Sequence, residues 1–201
     1  MSRWRPTPRQ LAILFAGLWL FGTGEALLVH SGLGNSPWTV LAEGAADQVG
    51  VGIGTTTVAI SFLLLAIWIP LRQQPGFGTI ANAVVIGVAI GITLGFLPHV
   101  HGLALRAAEV AVGIGLVAIG SGLYLMTRLG AGPRDGLMLG VHRRTGLSVR
   151  LVRTIIESSA VVAGYALGGT VGIGTLAFAL GIGPAVQAAL GVLTSTPAHE
   201  L

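Results

Sequence analysis

Apolar residues occur in six long segments, and the short stretches between them hold most of the charged residues. The segments lie near residues 11–29, 55–71, 79–97, 103–126, 148–167 and 171–193. A helix needs about 20 apolar residues to cross a bilayer, and only closed hydrogen-bonded structures are stable in lipid. The pattern predicts an all-α polytopic membrane protein, with residues 1–201 forming one membrane domain of six transmembrane helices.

The arginines predict the orientation of these spans, because short cytoplasmic loops are enriched in Arg. With six spans, ten of the 11 arginines lie on one side of the membrane, and Arg106 is the exception. We therefore expect both termini in the cytoplasm. Although Arg3, Arg5 and Arg9 before an apolar run resemble a signal peptide, five more spans follow, so we interpret the first as an uncleaved helix.

Composition supports a membrane location and excludes other classes. Apolar residues make up 53% of the chain and charged residues 9%, whereas soluble domains carry roughly 25% charged residues. The pI of 11.1 does not indicate nucleic-acid binding, because the arginines flank apolar spans instead of forming a basic face. The absence of cysteine excludes disulfides and thiolate metal sites.

The chain contains an internal repeat. The glycine-rich motif at 22–37 recurs 98 positions later at 120–135, and G-x-G-T-x-A at 76–81 recurs 96 positions later at 172–177. The repeats cover about residues 11–97 and 103–193, with three spans each. An odd number of spans inserts the second copy upside down, as in transporters built from inverted repeats.

Two glycine-rich elbows contain candidate site residues. In the first, at 32–38, Asn35 and Ser36 precede a helix that starts at Pro37; in the second, at 130–136, Pro133 starts a helix with Arg134 and Asp135 in its first turn. Helix starts of this kind favour anions. Two arrangements are compatible with the pattern: elbows that dip inward and converge, or short connector helices lying at the membrane interface.

Polar residues inside the spans are further candidates, because each is costly in lipid. Glu25 is the leading one, either as a functional acid or as the partner of an Arg on another helix. Thr79 and Thr175 supply hydroxyls at the two G-x-G-T breaks. Asn82 has Phe178 as its counterpart in the second repeat, which indicates either a specialised pocket or a helix–helix hydrogen bond.

Other charged residues predict local ion pairs, and the glycines of spans three and four predict close helix packing. Glu157 follows Arg153 by four residues on one helix face, and Glu109 lies near Arg106 at a membrane edge. We find no metal-ligand spacing, no phosphate-binding loop and no nucleophile elbow. We therefore expect no cofactor, no metal and no enzymatic activity.

Several motifs together are similar to a known family. They are G-L-G-N-S-P-W at 32–38, I-P-L-R-Q-Q-P-G-F-G-T-I-A-N at 69–82, and L-G-A-G-P-R-D-G-L-M-L-G at 129–140. On these residues the chain resembles the YczE branch of the YczE/YyaS/YitT bacterial membrane proteins over nearly its whole length. The resemblance implies a bacterial inner-membrane protein, and it implies no substrate because the family has no established biochemical activity.

These observations favour a small-solute transporter or permease with its site between the repeats. The elbow helix starts and Arg134 favour an anionic or zwitterionic solute, with Glu25 gating the site or coupling protons. The alternatives are a substrate-capture subunit of a multi-protein importer and a non-transport membrane accessory factor. The expected partners are the bilayer, the solute, and a second copy or an energising subunit, but not nucleic acid.

Overall fold

The computed structural model describes residues 3–98 and 100–195. Within these residues the chain is all-helical and contains no strand. The helices are α1 (Pro8–Ser31), α2 (Pro37–Val49), α3 (Ile53–Leu71), α4 (Phe77–Phe96), α5 (Leu103–Met126), α6 (Pro133–Thr145), α7 (Val149–Ala166) and α8 (Ile173–Ser195).

Five of the six predicted spans are confirmed as helices that are long and apolar enough to cross a membrane, namely α1, α3, α4, α5 and α8. The predicted span at 148–167 forms α7 but lies outside this group. Its 18 residues include Arg150, Arg153 and Glu157, which interrupt the apolar run. The chain is a multi-pass membrane protein, and α7 is its most polar long helix.

Proline determines where both elbow helices begin. Pro37 and Pro133 occupy the first helical positions of α2 and α6, as predicted, because proline lacks the N–H that a helix start cannot use. Ser36 precedes α2, but its side chain accepts no capping hydrogen bond, and its hydroxyl donates to Glu25 instead. Both helices end at glycines in the left-handed region, Gly50 and Gly146.

A seam of four glycines joins α1 and α5, which run antiparallel. A Cβ at Gly24 would lie 2.5 Å from the carbonyl oxygen of Gly113, and one at Gly120 would lie 2.5 Å from that of Gly17. The two backbones are therefore in direct contact, as predicted for close packing. The prediction does not hold for Gly115 of the same helix. A Cβ added at Gly115 would have no described atom of another residue within 4 Å.

Backbone features recur along the chain at an interval of 96 residues. Gly34 and Gly130 share a positive φ, 117° and 129°, and the elbow helices start at Pro37 and Pro133. The left-handed residue after α1 is Gly32, and its counterpart after α5 is Arg128. The interval of 98 residues, which the glycine positions in the sequence suggest for the first elbow, is therefore wrong by two residues.

The two halves of the chain interlock. Helix α2 packs on α7 and helix α6 packs on α3, while α1 packs on α4 and α5 packs on α8. One equivalence is broken among the described helices: α3 packs along α4, but α7 has no comparable contact with α8. The packing leaves a gap on the α7–α8 side.

Candidate functional site

A cavity of about 320 Å³ lies where the two halves meet, and we call it the central cavity. Its volume corresponds to about ten water molecules. Every helix except α3 contributes to its wall. The wall includes polar residues and a larger apolar set: Ser36, Asn82, Ser121, Tyr124, Arg134, Asp135 and Gln187, with Phe21, Trp38, Ile86, Val117, Leu125, Met138, Phe178, Ile182 and Val186.

The starts of α2 and α6 converge at this cavity. Ser36 and Gly132, which precede the two helices, both line it. The guanidinium carbon of Arg134 lies 5.8 Å from the ring centroid of Trp38 and 5.8 Å from that of Phe21. Of the two arrangements predicted for the elbows, the structure has the one in which the helix starts meet inside the protein.

Glu25 is completely buried behind this point. Its Oε2 accepts hydrogen bonds of 2.7 Å from the hydroxyls of Ser36 and Thr39 on the first elbow. Its Oε1 lies 3.8 Å from Nη1 of Arg134 and has no hydrogen-bond partner in the part of the chain that the structure describes. The carboxylate is thus fixed by one elbow and faces the cation of the other, so Glu25 joins the two halves.

Asp135 and Asn82 lie on the same side of the cavity. The Tyr124 hydroxyl donates to Oδ2 of Asp135, which fixes the aspartate at the first turn of α6. Asn82 is 9% exposed, and its Nδ2 and the Asp135 carboxylate both lie close to Gly132. A side chain at position 132 would crowd both, so glycine there brings the two polar groups together.

Four predicted site residues do not line the central cavity, namely Glu25, which lies behind it, and Asn35, Thr79 and Thr175. Asn35 is buried and donates from Nδ2 to Oε2 of Glu43, at 2.8 Å, while its backbone N–H bonds to Thr170. Thr79 and Thr175 each accept from a backbone N–H three residues earlier, at Gly76 and Gly172. The two threonine hydroxyls hold helix starts and the Asn35 amide nitrogen holds a loop, while Oδ1 of Asn35 is buried without a hydrogen-bond partner among the described residues. The assignment of these three residues to a solute site stays a prediction.

The predicted ion pairs have different outcomes. Arg153 and Glu157 pair at 2.9 Å on α7, as predicted, and both line the cavity edge facing α8. Glu109 pairs with His30 of α1 at 2.8 Å instead of with Arg106. The Arg106 Nε donates to the carbonyl oxygen of Ser31, where a cation is favoured by the end of α1.

Four residues around the charged groups of the site are not among the residues predicted from the sequence. Phe21, Trp38 and Tyr124 surround Arg134 and Asp135, and Thr39 binds Glu25. The indole Nε1 of Trp38 is buried and has no partner within the described residues. In the sequence Phe21, Trp38 and Tyr124 read as aromatic helix positions and Thr39 as an ordinary helix hydroxyl, and only their tertiary neighbours identify them.

Comparison with known proteins places the chain among proteins without an assigned activity. Residues 8–190 match DUF6198, a family of unknown function. The chain is 41% identical over 196 residues to an uncharacterised protein of Haemophilus influenzae, which covers 98% of this chain and 90% of the relative.

Two relatives from Bacillus subtilis are more distant. The uncharacterised membrane protein YczE is 32% identical, with 83% of this chain and 78% of the relative covered. The uncharacterised protein YyaS is 31% identical, with 80% and 82% covered. No solved structure matches the chain. The likeness to YczE and YyaS agrees with the resemblance noted from the sequence motifs.

Proposed function

The chain belongs to the DUF6198 family, and we propose that it is a small-solute transporter that binds an anionic or zwitterionic solute in the central cavity. The role is transport and not catalysis. The observation that carries the proposal is the convergence of two elbow helix starts on a buried, charged cavity, with Arg134 at one start and Glu25 behind the other.

The backbone recurrence supports an inverted-repeat architecture for this transporter. In the α1–α5 seam, Gly17 and Gly24 have counterparts 96 residues later, Gly113 and Gly120, and each contacts the counterpart of the other. A two-fold axis in the membrane plane would produce this antiparallel arrangement. Transporters of this plan bind solute at the interface of the repeats, near the bilayer midplane.

We also propose a bacterial inner-membrane location with both termini in the cytoplasm. On this topology the elbow containing α2 faces outward and the elbow containing α6 faces the cytoplasm. Val49 and Thr145 are the last residues of α2 and α6, and both are exposed. Because the chain has no cysteine, a single cysteine at either position can be labelled without background.

We expect Val49→Cys to react with a membrane-impermeant maleimide in intact cells, and Thr145→Cys to react only after permeabilisation. The two positions are 96 residues apart and equivalent in the repeat, which makes each the control for the other. Equal labelling of both in intact cells would contradict the inverted topology.

Transport is tested by proteoliposome uptake from a ¹³C-labelled bacterial metabolite extract, with mass spectrometry of the accumulated solutes. We expect the wild type to accumulate a solute and Arg134→Ala to reduce this about 10-fold or more, because a charge-assisted hydrogen bond contributes about 1.5–3 kcal/mol. Glu25→Gln should also lower uptake. Arg150→Ala, which removes an exposed arginine outside the cavity, should not.

Native mass spectrometry from lipid discs separates the alternatives. The wild type could retain a solute that Arg134→Ala loses, while proteoliposomes show no uptake. This result would favour the capture-subunit function over transport. Uptake that is unaffected by both Glu25→Gln and Arg134→Ala would rule out the proposed site. If there were neither retention nor uptake, the chain would be an accessory factor.

A further inference from the structure

A second cavity lies on the opposite side of the α6 start from the central cavity. It has a volume of about 490 Å³, and four arginines line it: Arg3, Arg72, Arg128 and Arg143. They come from four different segments, namely the stretch before α1, the end of α3, the α5–α6 connection and α6 itself. We call this hollow the basic cavity.

No described acidic residue balances these charges. The lining contains no Asp or Glu among the described residues, and none of the four arginines forms an ion pair with a described carboxylate. Of the six described acidic side chains, Glu25, Glu43, Glu109, Asp135 and Glu157 are bound to other partners, and Asp47 lies outside the lining. All four arginines are exposed, so solvent weakens their mutual repulsion, and an anion bound among them would lower it further.

The positive-inside tendency does not account for the arrangement. That tendency places arginines in the loops of one membrane side, but it does not require arginines of four segments to line the same hollow. Guanidinium groups bind phosphate oxygens through paired hydrogen bonds. Basic pockets between membrane helices are known to accept phospholipid headgroups.

The rest of the wall suits an amphiphile. Leu125 and Leu139 contribute apolar surface, and Gln73 and Gln74 contribute amide groups. Leu125 also lines the central cavity, so the two cavities share a wall. We propose that the basic cavity binds an anion with two phosphates, supplied by the headgroup of a diphosphatidylglycerol lipid or by a soluble diphosphate.

The test is native mass spectrometry of the detergent-purified full chain, titrated with cardiolipin, with phosphatidylcholine and with pyrophosphate. We expect cardiolipin to bind more tightly than phosphatidylcholine. Each arginine near an anionic group contributes about fivefold in affinity, so Arg72→Gln/Arg143→Gln should weaken cardiolipin binding by about 30-fold. Arg9→Gln/Arg150→Gln removes two arginines outside the cavity and should leave binding unchanged.

One further variant tests the charge of the basic cavity without disturbing the fold. Arg128 has a φ of 55°, in the region that glycine adopts without strain, so Arg128→Gly removes one charge and suits the backbone. We expect it to bind cardiolipin about fivefold more weakly and to unfold no earlier than the wild type.

The two sources of phosphate give different results. Tight cardiolipin binding that pyrophosphate does not displace assigns the lipid, and pyrophosphate binding that the cavity variants weaken assigns the soluble anion. Cardiolipin and pyrophosphate binding that are both unaffected by Arg72→Gln/Arg143→Gln, or no binding of either, would overturn the proposal. These outcomes do not depend on uptake through the central cavity.

Discussion

Replacing Arg134 by glutamine is expected to lower the free energy of unfolding by about 3 kcal/mol, because it leaves the carboxylate of Glu25 buried without a cation. Removing one partner of a buried pair costs about 3–5 kcal/mol, and we take the lower end since the Arg134 side chain is 21% exposed. Ser36 and Thr39 cannot compensate, because both already donate to Oε2, and the other oxygen, Oε1, has no hydrogen-bond partner among the described residues.

The measurement is SDS-induced unfolding in mixed micelles, followed by tryptophan fluorescence. The double variant Glu25→Gln/Arg134→Gln should recover most of the lost stability, since it removes both charges at once, but it should not recover solute binding. Arg150→Gln is the control for loss of a positive charge. Destabilisation by the two substitutions that simply adds would show that Glu25 and Arg134 do not interact.

Replacing Gly120 by alanine is expected to destabilise the protein by about 3 kcal/mol, at the upper end of the range for overpacked cores. The new Cβ would lie 2.5 Å from the carbonyl oxygen of Gly17 and 2.7 Å from the backbone nitrogen of Phe21. Neither atom belongs to a side chain that can rotate away. Helices α1 and α5 would have to separate, and Phe21 would move away from Arg134.

Gly115 provides a matched control on the same helix. A Cβ added at Gly115 would have no described neighbour within 4 Å. Gly115→Ala should therefore be neutral, or should stabilise α5 by up to about 1 kcal/mol through helix propensity. Gly120→Ala should therefore lower the SDS midpoint of unfolding, and Gly115→Ala should leave it unchanged or raise it. A similar shift for both would show that backbone contact at Gly120 does not limit the packing.

Part of the site could be predicted from the sequence because it depends on local rules. Pro37 and Pro133 start the elbow helices, and an isolated Glu25 in an apolar span indicates a residue with a special role. Ser36 was also identified, but its hydroxyl donates to Glu25 in place of a helix cap. A residue suited to capping is equally suited to binding a carboxylate, and only the fold decides between them.

The rest depends on tertiary contacts. Asn35 and Thr79 have the same polar character as the cavity residues, yet Asn35 binds Glu43 and Thr79 binds the backbone at Gly76. Trp38 and Phe21 were not identified because an aromatic residue in a membrane helix usually faces lipid or packs in the core. Their role follows from the position of Arg134, which belongs to the other half of the chain.

The register of the repeat shows the same limit. Matching the glycines in the sequence aligns the first elbow with the second at an interval of 98 residues. The backbone conformation aligns the two elbows at an interval of 96, which makes Arg128 the counterpart of Gly32. Glycine is required only where a left-handed turn or a close contact leaves no room for a side chain. A sequence alignment gives every glycine equal weight, so it can pair a glycine with a nearby glycine that is not its structural counterpart.

The glycine seam also has a mechanical consequence. Where backbone lies directly against backbone, no side chain can change rotamer to relieve a clash, so we expect α1 and α5 to move together. On the proposed transport function, we expect motion that exposes the central cavity to one side and then the other to occur in the peripheral helices. We expect this motion at the α7–α8 edge, because α7 lacks the packing on α8 that α3 has on α4, and because Arg153 and Glu157 line the cavity there.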